Sequence, residues 1–158
     1  MRIGLVAGET SGDSLGAGLM REIKKIHPDV HFEGIFGPKM EKISNNCWAR
    51  SNELSVMGII EPIKRLPHLI LLRKRILKKW LKYPPDIFIG IDAPDFNLTL
   101  EEKLRLKGIT TVHYVSPSIW AWRSNRIEKI RRCANKVLCL LPFEPDLYKK
   151  YKIPAVFV

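Results

Sequence analysis

Long hydrophobic runs are missing from the 158 residues: no uncharged apolar stretch approaches the roughly 20 residues that a membrane-spanning helix needs. No secretory leader is visible either, because Met1 and Arg2 lead straight into Ile3-Gly4-Leu5-Val6-Ala7, so the sequence reads as cytoplasmic and at most peripheral to a membrane. Cysteine is scarce. Cys47, Cys133 and Cys139 are odd in number and share no C-x-x-C spacing, a pattern that fits reduced thiols and argues against a disulfide framework or a zinc site. The histidines (His27, His31, His68, His113) are scattered, so neither a metal centre nor a nucleophilic dyad suggests itself. Neither G-x-G-x-x-G nor a Walker A loop occurs, which removes the two commonest nucleotide-phosphate cradles. Negative charge is also short: 16 Asp and Glu face 27 Lys and Arg, for a net charge of +11. That excess favours anionic partners without choosing among nucleic acid, anionic lipid and phosphorylated substrates, and a lysine-rich codon bias is a lesser alternative source for part of it.

What is present is a core-forming composition, 46% hydrophobic, with short β-branched runs alternating with helix-period segments. Strands are expected near Ile3–Ala7, Phe32–Phe36, Ile87–Ile91, Thr110–Val115, Lys136–Leu140 and Ala155–Val158. Helices are expected near Ser14–Ile26, Leu66–Leu81, Leu98–Leu106, Asn125–Arg132 and Pro145–Tyr151. The strands show little polar alternation, as when helices cover both faces of a sheet. The order predicts an α/β fold, a Rossmann-like doubly wound parallel sheet, with ligands at the C-terminal ends of the strands. The last apolar run, Ala155-Val156-Phe157-Val158, reads as a buried strand at which a longer fold has been truncated, so residues 1–158 are expected to be one domain.

Three loops could carry chemistry. The first, Gly8-Glu9-Thr10-Ser11-Gly12-Asp13, reads equally as a binding turn and as a structural turn capped by Asp13 or Ser14. Gly90-Ile91-Asp92-Ala93-Pro94-Asp95-Phe96-Asn97 sets two carboxylates at the end of a central strand. Asp95 and Asn97 have an alternative role as helix N-caps, whereas Asp92, at the strand tip before a stiffening proline, suits a general base. The carboxylates are not spaced D-x-D, so no metal is inferred. In Ser116-Pro117-Ser118-Ile119-Trp120-Ala121-Trp122-Arg123, the tryptophans either pack a sugar ring or acyl chain or plug the sheet edge.

Between Glu61 and Asp86 every charged residue is basic. On a helical wheel Leu66, Leu69, Ile70, Leu72, Ile76, Leu77, Trp80 and Leu81 share one side, with His68, Arg75, Lys79 and Lys82 opposite and Lys74 and Lys78 flanking them. The apolar sector is wider than packing on a sheet requires. It reads either as a core helix with a solvated basic face or as an interfacial helix on anionic lipid. Because the basic residues gather on this apolar helix and no nucleic-acid motif accompanies them, nucleic acid is not expected as a partner.

The first loop, Val56-Met57-Gly58, the Gly90–Asn97 stretch, the run His113–Arg123 and Leu141-Pro142-Phe143-Glu144 together resemble the lipid-A-disaccharide synthases, in that family's order and over essentially the whole chain. The resemblance implies the N-terminal, acceptor-side domain of a GT-B inverting glycosyltransferase of lipid A biosynthesis, without cofactor or metal. Its substrates would be UDP-2,3-diacylglucosamine and 2,3-diacylglucosamine 1-phosphate (lipid X), condensed to a β-1,6 disaccharide of the Gram-negative outer-membrane lipopolysaccharide with release of UDP. It further implies Asp92 as catalytic base and Glu9, Ser11, Asp95, Asn97, Ser116, Trp120 and Trp122 as substrate-binding. Leu66, Leu69, Ile70, Arg73, Leu77, Lys78, Trp80 and Leu81 would contact the anionic inner face of the inner membrane. The family's second domain, which binds most of the UDP-sugar, is not in this sequence, so a separate C-terminal half is an expected partner and the chain alone is expected to be incompetent. A non-catalytic membrane-lipid-binding remnant is the alternative.

Overall fold

The expected alternation resolves into a sheet of seven strands in the computed structural model, which describes residues 1–54, 61–117 and 124–158. The strands are β1 (Arg2–Ala7), β2 (His31–Phe36), β3 (Cys47–Arg50), β4 (Ile87–Ile91), β5 (Thr110–Tyr114), β6 (Lys136–Cys139) and β7 (Ala155–Phe157). The helices are α1 (Thr10–Ile26), α2 (Pro38–Glu41), α3 (Glu61–Lys82), α4 (Pro94–Arg105), α5 (Ser124–Cys133) and α6 (Glu144–Lys149). The strand order is β3-β2-β1-β4-β5-β6-β7 and every neighbouring pair runs parallel. The chain works outward from β1 to β3, then returns to the other side of β1 and works outward again. The reversal falls between β1 and β4, the place where doubly wound sheets open a crevice beyond their strand ends.

Successive residues of β1 enter opposite layers, as the pleat requires. Leu5 and Ala7 pack with Met20, Phe36 and Ile89 on one face, while Val6 joins Ile76, Trp80, Phe88 and Leu100 on the other. A third cluster, containing Leu98, Ile130, Val137 and Tyr148, closes the β6 side of the sheet. Three short elements were not expected from sequence: β3, α2 and a single 3-10 turn at Ser51–Glu53. β3 and α2 are four residues each, and neither CWAR nor PKME is long enough to show a period. Helices also begin earlier than expected: α1 at Thr10 rather than Ser14, α3 at Glu61 rather than Leu66, and α4 at Pro94 rather than Leu98.

The wide apolar sector of α3 separates into distinct surfaces. Leu72, Ile76 and Trp80, spaced four apart, are buried against the sheet, with Leu69 and Leu77 partly buried beside them. Trp80 therefore does not meet a membrane. It is fully buried, edge-on to Phe88 at 5.0 Å, and its indole N–H donates to Glu33 Oε1 at 3.0 Å. Glu33 is itself gripped by the Arg2 guanidinium, at 2.8 and 2.9 Å. Leu66, Leu71 and Leu81 remain exposed, together with Lys74, Arg75, Lys78, Lys79 and Lys82. Among the described residues, no helix is long and apolar enough to cross a membrane.

Candidate active site

β1 and β4 end in register, Ala7 beside Ile91, so the loops that follow them leave the sheet side by side at the topological reversal. Their approach is close: a Cβ built on Gly8 would lie 2.3 Å from the Ala93 Cβ, so only glycine lets the two turns meet. After Ile91 the chain enters the left-handed region twice, at Asp92 (φ 54°) and Ala93 (φ 43°). This conformation is costly for non-glycine residues, of order 1–3 kcal/mol each, and Asp tolerates it better than Ala. Pro94 then opens α4 with a pre-set φ and no N–H to lose.

The result is an open cavity of ≈ 380 Å³. Its described lining combines three carboxylates (Glu9, Asp92 and Asp95), an apolar wall of Leu54, Leu66, Leu69, Ile70 and Phe96, and the guanidinium of Arg73. Glu9 is the N-cap residue of α1, but its side chain makes no capping bond, which leaves its carboxylate to the cavity. Arg73 donates through Nη1 to the Asp95 carbonyl at 3.2 Å and lies 5.8 Å from the centre of the Phe96 ring. It thus fastens α3 to the turn instead of pointing to a lipid surface. Carboxylates beside an apolar wall can take a proton from a hydroxyl whose substrate also carries hydrocarbon. Among the described residues no group of three or more His, Cys, Asp or Glu is arranged to hold a metal ion.

Several expected ligands serve the protein from inside. Asn97 is fully buried, and its Nδ2 donates toward the carbonyls of Asp92 (2.8 Å), Val6 (3.3 Å) and Ile91 (3.3 Å), so it reaches no substrate. Neither Asn97 nor Asp95 is an N-cap, because α4 has already begun at Pro94 and its N-cap is Ala93. Ser116 is buried with its hydroxyl 2.9 Å from that of Tyr148, a packing role in place of substrate contact. Asp13 caps a different helix from the one expected. Its oxygens accept from the backbone N–H groups of Lys39 (2.9 Å) and Met40 (3.0 Å), at the start of α2. Ser11 is exposed in the first turn of α1. Trp120 and Trp122 lie outside the described residues.

The sequence also hid a buried pair behind the turn. Glu101 on α4 and His113 on β5 are both fully buried, with Oε1 and Nδ1 2.7 Å apart. Burial pushes the Glu101 carboxyl upward, and the nearby His113 and Lys129 pull it partly back. Only the i, i+4 spacing of Asn97 and Glu101 on one helix face hinted at this layer.

The family model for Lipid-A-disaccharide synthetase matches residues 3–158. Lipid-A-disaccharide synthases of Aeromonas hydrophila and Pseudoalteromonas translucida are 53% and 54% identical over 158 residues, which is all of this chain but 42% and 41% of theirs. The chain thus spans about two-fifths of the length of these curated relatives. Among solved structures, the UDP-GlcNAc 2-epimerase of Neisseria meningitidis bound to UDP-GlcNAc superposes with a TM-score of 0.66 at 9% identity. A ugt transferase of Siraitia grosvenorii in complex with UDP gives 0.60 at 10%, and MurG of Acinetobacter baumannii gives 0.57 at 13%. Each match covers 99% of this chain and 46%, 50% and 44% of the respective structure. At such identities the likeness is one of fold, the Rossmann-like N-terminal domain of a GT-B architecture.

Proposed function

The chain belongs to the lipid-A-disaccharide synthetase family, and we propose that it is the acceptor-side half of a glycosyltransferase of lipid A biosynthesis, with Asp92 as its catalytic base. The carrying observation is the cavity at the β1/β4 reversal, where the Asp92 carboxylate stands beside an apolar wall from α3. In this reading the acceptor, 2,3-diacylglucosamine 1-phosphate, lays its sugar against Asp92 and its acyl chains along Leu66, Leu69 and Ile70. Its 6-hydroxyl attacks the anomeric carbon of UDP-2,3-diacylglucosamine from the face opposite the leaving group. The new C–O bond forms as the bond to UDP breaks, the hydroxyl proton passes to Asp92, and the electron pair leaves with the UDP phosphate. Configuration at the anomeric carbon inverts, to a β-1,6 linkage. Glu9 and Asp95, which line the cavity, would meet the hydroxyl-bearing end, and Ser11, Trp120 and Trp122 are proposed as further substrate contacts on the family resemblance.

A leaving diphosphate needs donors aimed at its developing charge. The proposed reading assigns them to the part of the synthase outside residues 1–158, so these residues by themselves would hold acceptor and base without turning over. The exposed Leu66, Leu71 and Leu81 among lysines and arginines support peripheral attachment of α3 to an anionic inner-membrane surface. That exposed face by itself also favours the second reading, a lipid-binding module without catalysis.

The test is UDP release in detergent micelles from both substrates, by the chain alone and by the chain joined to the remainder of the synthase. Turnover is expected only from the completed enzyme, and Asp92→Asn should lower it by about a hundredfold or more. A loss below about tenfold removes Asp92 as the base. Liposome binding by a completed protein that never releases UDP would favour the lipid-binding module.

A further inference from the structure

The turn that carries Asp92 is strained, and the group that holds it approaches from inside the protein. Asp92 and Ala93 both occupy the left-handed region, and no glycine relieves either position. Backbone of this kind persists only where its surroundings over-determine it. On the outer side the Asp92 N–H donates to the Tyr114 carbonyl at 2.8 Å, which ties the turn to β5. On the inner side the Asn97 amide lies 2.8 Å from the Asp92 carbonyl and 3.3 Å from those of Ile91 and Val6. One buried side chain therefore binds the end of β1, the end of β4 and the turn itself.

The chemistry of that contact demands an amide. Three carbonyl oxygens converge on one atom, so the atom must donate. A carboxylate at position 97 would set oxygen against oxygen in a fully buried place, and an apolar group would leave the converging carbonyls short of a donor. The layer beneath is fitted to it. A Cβ on Gly90 would lie 2.8 Å from the Asn97 Cβ and 2.2 Å from Glu101 Oε1, so the bare strand at Gly90 is what lets α4 seat Asn97 under the turn. Glu101, one helical turn further on, is held by His113 from β5.

We propose that Asn97 is a positioning residue for Asp92: its buried amide holds the two left-handed residues of the turn and so aims the carboxylate into the cavity. The proposal rests on the reading of Asp92 as the base, but it makes a separate prediction about the backbone. Asn97→Ala should speed hydrogen exchange at the Asp92, Phe96 and Asn97 amides of this chain while exchange in β1 and β4 stays near the parent's. In the completed synthase the same change should lower kcat by at least about tenfold, toward the ~10²-fold that ångström-scale misplacement produces. The acceptor KM should stay within about twofold, because the cavity wall is untouched.

Where Asn97→Ala folds poorly, Ala93→Gly is added, since glycine takes left-handed backbone without penalty. Recovery of Tm without recovery of kcat supports positioning. Recovery of both together, or a kcat per folded molecule equal to the parent's in Asn97→Ala, overturns it. If the parent enzyme shows no turnover, the functional reading falls, and the exchange experiment still decides this one: unchanged exchange at the turn refutes it.

Discussion

Replacing Trp80 by alanine separates the two faces of α3, because a residue that the family resemblance assigned to a membrane surface sits in the centre of the core. The indole is fully buried between Trp48 and Phe88, at ring distances of 5.1 and 5.0 Å, and donates to a buried carboxylate. Truncation of a buried Trp to Ala costs about 3–5 kcal/mol through lost transfer free energy and the cavity left behind. Glu33 keeps its bond to Arg2, so the lost indole donor adds little beyond that range. Against a total stability of about 5–15 kcal/mol for a domain, the change should move the urea midpoint by a large fraction of its value. The contrasting variant replaces Leu66, Leu71 and Leu81 together by serine. These side chains are 54%, 65% and 42% exposed, so the folded state should lose little, within about 0.5 kcal/mol per site. Binding to vesicles of anionic phospholipid, measured by co-sedimentation, should instead drop by about tenfold or more, because the apolar part of the surface is gone while the lysines remain. A Trp80→Ala protein that loses under about 1 kcal/mol but no longer binds vesicles would refute this division of the helix.

Two further outcomes follow from the buried titratable groups. At pH 8 a thiol reagent should label Cys47 well ahead of the other two in the folded chain: burial raises its thiol as well, but it is only partly buried, whereas Cys133 and Cys139 are buried and pushed up to about 12 and about 11; stoichiometric labelling of either without denaturant would contradict their burial. Glu101→Gln should gain stability over the parent as pH rises from about 4 to about 8: burial raises the folded carboxyl above its usual 4.5, so that group's contribution is complete below the unfolded pKa and is lost as pH rises through the folded one. A difference in urea midpoints that stays constant over this range would refute that origin.

The fold was largely legible because its strands announce themselves. Ile87-Phe88-Ile89-Gly90-Ile91 is read to the residue, since a β-branched run between Pro85-Asp86 and Asp92 has sharp ends. The short elements β3 and α2 were not legible, because four residues cannot display a period. At the site, Asp92 and Glu9 could be placed at strand tips from sequence and do line one cavity. The neighbouring polar residues could not. Asp13 and Asn97 are short polar side chains in the first turns of helices, and Ser116 follows the end of β5, places where local capping or ligand contact is the natural reading. Each instead reaches groups outside its own helical turn: Asp13 the N–H pair at the start of α2, Asn97 the distant Val6 carbonyl as well as those of Ile91 and Asp92, and Ser116 the Tyr148 hydroxyl. Burial decides such cases, and no local pattern of residues encodes it.

The same limit applies to the wall of the cavity, whose α3 residues the resemblance placed on a membrane surface. Helical periodicity shows that α3 has more apolar width than a sheet can cover, but not where the excess goes. Along the line of Leu66, Leu69, Ile70 and Arg73, spaced three and four apart, the helix turns toward the Asp92 turn and is fastened there by the bond from Arg73 to the Asp95 carbonyl. The line of Leu72, Ile76 and Trp80 goes into the core, while Leu71 and Leu81 face outward. Part of the excess width therefore belongs to the cavity rather than to a membrane surface. Leu66 lines the cavity and is also exposed, so the two apolar surfaces meet at that residue. In the proposed reading, an acyl chain of the acceptor would run from that exposed edge along Leu66, Leu69 and Ile70 toward Asp92 without leaving apolar contact.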